Sequence, residues 1–240
     1  MERTVEITKN RFFEIFSDAV LLYEISLSES RVSAKAALAK SCILSVNYAL
    51  EAAANSFIST VEVTSSLKNQ IDRFSTLDKF DFVLQWHKDS ALPRGDTEVQ
   101  VVKELIDKRN TAVHPKIETC SEGISTEVGS GSLGYVHKLK SGSESARNKL
   151  SKFSKAPDMY TDEDALVALK AVVNFLNSYV NDWWGIDIDT SALLLMPSWN
   201  GSINASNILY ERDSLETVVK HDKVLGIKFL GLHGILKQFV

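Results

Sequence analysis

Cysteine is scarce in this sequence, and the absence is informative. Two cysteines, Cys42 and Cys120, in 240 residues exclude a disulfide scaffold. With the five scattered histidines they form no Cys-x-x-Cys or His-x3-His pair, so the usual zinc spacings are missing. This cysteine usage fits a reducing, cytoplasmic setting. There is no excess of positive charge. Lys and Arg number 27 against 31 Asp and Glu, a net charge of −4, so any nucleic-acid role needs a local patch. No run of about 18 apolar residues occurs, and no apolar export segment follows Met1, so neither a membrane span nor secretion is expected. What is present is 44% apolar and 24% charged, which argues for a folded chain and against disorder. The length allows one or two domains.

Only four prolines occur, at 93, 115, 157 and 197, and each reads as a boundary between elements. The first two-thirds of the chain have helical periodicity. From residue 4 to about 25, Phe12, Phe13, Ile15, Phe16, Val20, Leu21 and Leu22 make a broad apolar face. Residues 30–60 predict the longest helix, with Leu38, Cys42, Val46, Ala49, Ala53 and Phe57 at spacings of three and four. Alanines between them let a neighbouring helix approach closely, and Cys42 in that stripe is expected to be buried and inert. Shorter helices are expected over 65–74 and 76–87. A capping box, Thr97-Glu98-Val99-Gln100, opens the next helix, which runs to His114 and stops before Pro115.

Beyond Pro115 the pattern changes. Glycines at 123, 129, 131 and 134 and β-prone runs at 124–128 and 134–136 predict an inserted hairpin within residues 116–157. From 137 to 155 the bases Lys138, Lys140, Arg147, Lys149, Lys152 and Lys155 outweigh one acid, Glu144. Such a patch either tracks an RNA backbone or is a solvated linker. A second capping box, Thr161-Asp162-Glu163-Asp164, opens a helix that ends near Trp183-Trp184-Gly185. Residues 186–240 carry turn signals, including Asn200-Gly201, and an alternating run at 224–232. They predict a small mixed α/β appendage to a helical domain over residues 1–185, with strands mainly at 117–138 and after 185.

The segment with chemistry to offer is residues 101–115. Val102, Ile106, Arg109 and Val113 fall on one helical face, which puts a guanidinium in the apolar stripe. An unpartnered buried arginine is costly, so Arg109 must reach a carboxylate, a carbonyl, another surface or an anion. Asn110 and His114 are neighbours one turn apart on an adjacent face. His114 ends the helix, where the dipole favours a protonated imidazole. Arg, amide and His together suit phosphoryl chemistry without a metal. The His moves a proton, the Arg neutralises phosphate charge, and the Asn orients one or the other. RNA brings its own nucleophile in the 2′-hydroxyl. One His cannot serve as both base and acid, and two copies meeting at a two-fold axis would supply the second.

Arg109-Asn110-x3-His114 at a helix end resembles the Arg-x(4–6)-His motif of HEPN domains, which favour a polar residue directly after the arginine. The resemblance covers residues 30–183: a long Ala-rich helix bearing Asn47, Glu51 and Asn55, then the motif helix, then a closing helix. It implies a mainly α, antiparallel helix bundle, a homodimer with motif helices face to face, and metal-independent RNA cleavage through a 2′,3′-cyclic phosphate. Such activity belongs to toxin–antitoxin and antiviral-defence systems. The implied partners are RNA, a second copy and an antitoxin protein, with no cofactor and no membrane. On this reading His114 transfers the proton, Arg109 stabilises the phosphorane and Asn110 positions one of them. Lys116, Lys138, Lys140, Arg147 and Lys149 would contact RNA. Lys116 also stands where members paired with a nucleotidyltransferase antitoxin often carry a modifiable Tyr, so that control is not expected here. Other HEPN domains are non-catalytic and bind nucleotides or proteins as dimeric scaffolds.

Each feature has a plainer alternative. Arg109 and His114 can form helix-terminal ion pairs with Glu104, Asp107 or Glu118. Asn47, Glu51 and Asn55, at i, i+4 and i+8, either orient the site from behind or form an interhelical hydrogen-bond stripe. Trp183 and Trp184 read as a core plug at a helix end. His87, His221 and His233 have no partners in the sequence and receive no role.

Overall fold

The computed structural model describes residues 4–115, 117, 124–128, 134–139, 153, 159–202 and 205–232. The protein is mainly helical. In chain order, strand β1 (Ile7–Thr8) precedes helices α1 (Phe12–Ser28), α2 (Val32–Ile58), α3 (Ser65–Ile71), α4 (Thr76–Lys88) and α5 (Thr97–Val113). Strands β2 (Ile124–Val128) and β3 (Tyr135–Leu139) follow, then helix α6 (Asp162–Ser178), which continues into a π-helical turn at Tyr179–Trp184. The chain ends with α7 (Ile188–Leu195), β4 (Ser198–Ser202), β5 (Ala205–Ile208) and α8 (Arg212–Leu225).

Helix α2 is the spine. Ala39, Cys42, Val46, Ala49, Leu50, Ala53, Ala54 and Phe57 along it are fully buried. Three- and four-residue spacing of small side chains lets α1, α4, α5 and α6 all pack against it. At its C-terminal end Phe57 stacks on Tyr179 at 5.4 Å and meets Phe80 and Trp184 edge-on at 5.8 and 5.2 Å. The Tyr179 hydroxyl donates to the Phe80 carbonyl at 2.9 Å, so this aromatic centre buries no unmatched hydroxyl. Trp183 and Trp184 do plug the end of α6, and Gly185 closes it at a φ of 68°, a left-handed position suited to glycine.

Strands β2 and β3 pair antiparallel from Ile124 opposite Leu139 to Val128 opposite Tyr135. The expected hairpin forms, and its second strand runs further than 134–136. Three other expectations need correction. First, the chain before α1 is not helical: β1 pairs antiparallel with β4, and β4 with β5, in a three-stranded sheet. A two-residue strand has no periodicity of its own, and only its distant partner defines it. Second, Asn200-Gly201 is not a turn but lies within β4. Third, the alternating run at 224–232 is not a strand. Leu225, Ile227 and Phe229 are buried in turn, but the backbone there is held by side chains: Asp222 accepts from the Ile227 amide at 2.9 Å, and the Ser191 hydroxyl donates to the Phe229 carbonyl at 2.7 Å. Asn177 of α6 accepts from the Lys228 and Phe229 amides at 2.8 and 3.1 Å and donates to the Gly226 carbonyl at 2.8 Å.

The core runs without a break across residue 185. Leu195, Met196, Leu215, Val218 and Phe229 belong to the same buried cluster as Phe12, Phe16 and Val20. Phe229 meets Phe12 edge-on at 5.8 Å. Helix α8 is fastened to α1 at Glu24, which takes the Lys220 ammonium at 2.7 Å and the His221 ring at 3.0 Å. Those two partners hold the Glu24 carboxyl below its usual range, and slight burial opposes them. Its contribution to folding is therefore present in full above the usual carboxylate range and is lost as pH falls through the lowered value. The expected outcome is that Glu24→Gln lowers the urea midpoint clearly at about pH 7 and by progressively less toward about pH 3. A pH-independent difference between the two proteins contradicts the α1–α8 clamp.

Candidate functional site

Helix α5 positions the motif. Its first residue is Thr97, and Asp96 stands at the N-cap without a side-chain bond, so the expected capping box at Thr97–Gln100 does not form. Asp96 has an extended backbone and is a preferred residue type for that place, and it moves the N-cap one residue ahead of Thr97, where the third helical residue is Val99 and no box can close. The other box forms: the Asp164 carboxylate accepts from the Thr161 amide at 2.9 Å and from its hydroxyl at 3.2 Å. At the far end of α5, His114 is the C-cap, its amide donating to the Asn110 carbonyl at 2.9 Å.

Val99, Val102 and Leu105 bury the N-terminal two-thirds of α5. Toward the C-terminus the stripe rises out of the core. Ile106 and Arg109 are half-buried, and Val113 is 38% exposed. Arg109 faces α2. Its guanidinium carbon lies 5.7 Å from the Tyr48 ring centre, a cation–π contact, and its Nη1 donates to Asn110 Oδ1 at 2.9 Å. Among the described residues no carboxylate lies within ion-pair distance of Arg109, so the plainer pairing with Glu104 or Asp107 is not made. Asn110 is exposed, and its oxygen is committed to Arg109, not to His114. The His114 side chain is exposed and, among the described residues, meets no hydrogen-bond partner.

The polar stripe of α2 is fully used. Asn47 donates to the Ile43 carbonyl at 2.8 Å and, across to α5, to the Leu105 carbonyl at 3.5 Å. Glu51 and Asn55 turn to α4, where Lys79 Nζ donates to Glu51 Oε1 at 2.6 Å and to Asn55 Oδ1 at 2.8 Å. The Thr76 hydroxyl donates to the other Glu51 oxygen. Burial pushes the Glu51 carboxyl up. The bonds from Lys79 and Thr76, together with the Arg109 charge, outweigh that effect and hold it below the usual carboxylate range. Glu51 thus stands electrostatically between Lys79 and Arg109, bonded to the first.

The structure therefore joins Arg109 to Asn110 and to the Tyr48 ring, with Glu51 feeling the Arg109 charge but bonded, like Asn55, to Lys79; the His114 side chain makes no hydrogen bond to any of them among the described residues. Lys138 lies on β3 opposite Ser125. Lys116, Lys140, Arg147 and Lys149 lie outside the described residues. Sequence reading missed Tyr48, Thr76 and Lys79. The available signal was Lys79 itself, a lysine on the buried face of a helix whose other members are Leu77, Phe80, Val83 and Leu84. The clefts described elsewhere are lined by other residues: one of about 420 Å³ by Phe13, Glu14, Asp18 and Tyr210, and another along α6 by Asn174, Asn177 and Asn181. Among the described residues no group of three His, Cys, Asp or Glu side chains gathers as a metal-ligand set.

The two cations of this neighbourhood are expected to differ in what they do for stability. Glu51→Gln strands the Lys79 ammonium, which is 3% exposed, and is expected to cost about 1–3 kcal/mol. Arg109→Gln gives up a cation–π contact at a half-exposed site, worth about 0.5–1 kcal/mol. Denaturant unfolding at neutral pH ranks the two, and a larger loss for Arg109→Gln contradicts the assignment of Arg109 as the cation spared from structural work.

No protein-family model matches the chain, and comparison with curated proteins and with solved structures finds no similar one.

Proposed function

We propose that the protein is a metal-independent endoribonuclease of the HEPN type, acting as a homodimer. One observation carries the reading. Arg109 is a half-buried guanidinium with no carboxylate paired to it among the described residues, at the same helix end as the exposed His114. A cation held by an aromatic ring and an amide, with donors left over, suits a phosphate oxygen. In the proposed step the 2′-oxygen attacks the adjacent phosphorus and the bond to the 5′-oxygen breaks. The products are a 2′,3′-cyclic phosphate and a 5′-hydroxyl. His114 takes the 2′-proton, and the same residue of a second copy gives one to the leaving oxygen. Arg109 neutralises the charge that builds on the phosphorane oxygens. Asn110 sets the guanidinium plane through its bond to Nη1.

A second reading has its own observation. Among the described residues His114 has no partner to orient its ring, and the oxygen of Asn110 is spent on Arg109. A site so built also suits a binding module, in which Arg109 grips the phosphate of a nucleotide and no proton moves.

The assay is a panel of labelled single-stranded RNAs in EDTA. Wild type is expected to cleave RNA and to spare DNA, which lacks the 2′-hydroxyl. His114→Ala is expected to lose at least about a hundredfold, the scale of a removed acid–base group. Arg109→Ala is expected to lose a comparable amount through lost charge stabilisation. Both variants are expected to keep the wild-type circular dichroism and sedimentation. Cleavage that persists in His114→Ala overturns the ribonuclease reading. Absence of cleavage alongside nucleotide binding that depends on Arg109 replaces it with the binding module.

A further inference from the structure

One carboxylate of α2, Glu51, is bonded to the Lys79 cation and also feels the charge of a second cation, Arg109. Glu51 projects from α2 with 42% of its side chain exposed, so it has room to turn. It lies close enough to Arg109 for the two charges to interact, and three residues along α2 from Tyr48, whose ring Arg109 covers. Yet both of its oxygens are taken from the other side, by Lys79 at 2.6 Å and by Thr76. Among the described residues Arg109 makes a single side-chain hydrogen bond, to Asn110 at 2.9 Å, with five donors to use. We infer that Lys79 is a positioning residue for the Arg109 site: by holding Glu51 toward α4 it keeps that carboxylate from neutralising Arg109 and leaves the guanidinium open to a phosphate-bearing ligand.

The physical reason is an asymmetry of solvation. Lys79 has 4% of its side chain exposed, so water cannot compensate its charge and the protein must. Arg109 is half-exposed and rests on an aromatic face, so it tolerates lacking a counter-ion. The shared carboxylate goes to the cation that needs it more. Remove Lys79, and Glu51 loses its stronger partner while Arg109 remains nearby, with a fork geometry that matches a carboxylate two bonds at a time. The anion site then closes on a residue of its own chain. Charge repulsion from an unclamped Glu51 adds to the loss, because a phosphate would approach a carboxylate as well as a guanidinium.

This inference rests on the reading of Arg109 as the phosphate-facing group, and the test separates the two. The probe is a 2′-O-methyl oligoribonucleotide, which carries phosphates but has no free 2′-hydroxyl to react. Binding is measured by titration for wild type, Lys79→Met, Lys79→Met with Glu51→Gln, and Arg109→Gln. The Arg109 side-chain Nε–H resonance is followed by nitrogen-15 NMR in the same proteins. Lys79→Met is expected to weaken probe binding by about tenfold, the scale on which a misplaced charge costs recognition. Its Nε–H signal is expected to move as a Glu51 pair forms. Adding Glu51→Gln is expected to restore binding to within about twofold of wild type and to return the signal, a rescue that damage to packing would not give. Should Lys79→Met not fold, Thr76→Val removes the other grip with the buried ammonium in place, and a smaller loss reversed by Glu51→Gln is expected.

A folded Lys79→Met that binds as wild type, or a double variant as weak as the single, overturns the clamp. If wild type does not bind the probe and Arg109→Gln changes nothing, the phosphate reading fails. The clamp is then judged on the NMR signal alone: movement in Lys79→Met with return in the double variant supports it, and no movement overturns it.

Discussion

Lys79 occupies a core position of α4 with 3% of its surface exposed, and a charge so placed has to be met by side chains of a neighbouring helix. Glu51 and Asn55 of α2 meet it, and this bond sets the distance and rotation of α4 against the spine. The aromatic centre around Phe57, Phe80 and Tyr179 is stacked directly beside the same helix pair. One buried ammonium therefore couples three things: the register of α4 on α2, the packing at the end of the spine, and the state of the only carboxylate that electrostatically reaches Arg109 from α2. Structural and chemical roles fall on the same side chain, Glu51.

The alanines of α2 explain why so much can converge there. Ala39, Ala49, Ala53 and Ala54 take little space, so four helices approach the spine closely. Close approach leaves no water between them, and each polar residue on the stripe must be bonded across a helix interface. Asn47 reaches α5, whereas Glu51 and Asn55 reach α4. Tyr48 of α2 is 46% exposed, and Arg109 emerges against its ring from the apolar stripe of α5.

The two ends of the described chain are drawn together by different physics. Strand β1 adds to β4, Phe12 receives Phe229, and Glu24 clasps Lys220 and His221. Asn177 completes the arrangement by standing in for a neighbouring strand, satisfying the amides of residues 228 and 229 and the carbonyl of Gly226. The C-terminal elements thus pack on α1, α2 and α6. The motif end of α5 stays uncovered by them among the described residues.

Local rules in the sequence were sufficient for the helices. Three- and four-residue periodicity marked α1 through α6, Pro115 marked the end of α5, the box at Thr161 marked the start of α6, and glycine-rich spacing marked the β2–β3 hairpin, because each of these depends on residues a few positions apart. The placement of Arg109 in the apolar stripe of its helix, and of His114 at the helix end, was legible for the same reason, whereas the Tyr48 ring that Arg109 covers was not. What the sequence did not determine depends on partners far along the chain. The β1–β4 pairing joins residues 7 and 199, the alternating run at 224–232 is held by Asn177 and Ser191, and the stripe of α2 is divided between α4 and α5. Above all, a lysine within an apolar helix face has no visible counter-ion in its own segment. Only tertiary packing decided that Glu51, 28 residues away, would answer Lys79 and leave Arg109 without a carboxylate partner among the described residues, because a carboxylate goes to the cation that water cannot reach.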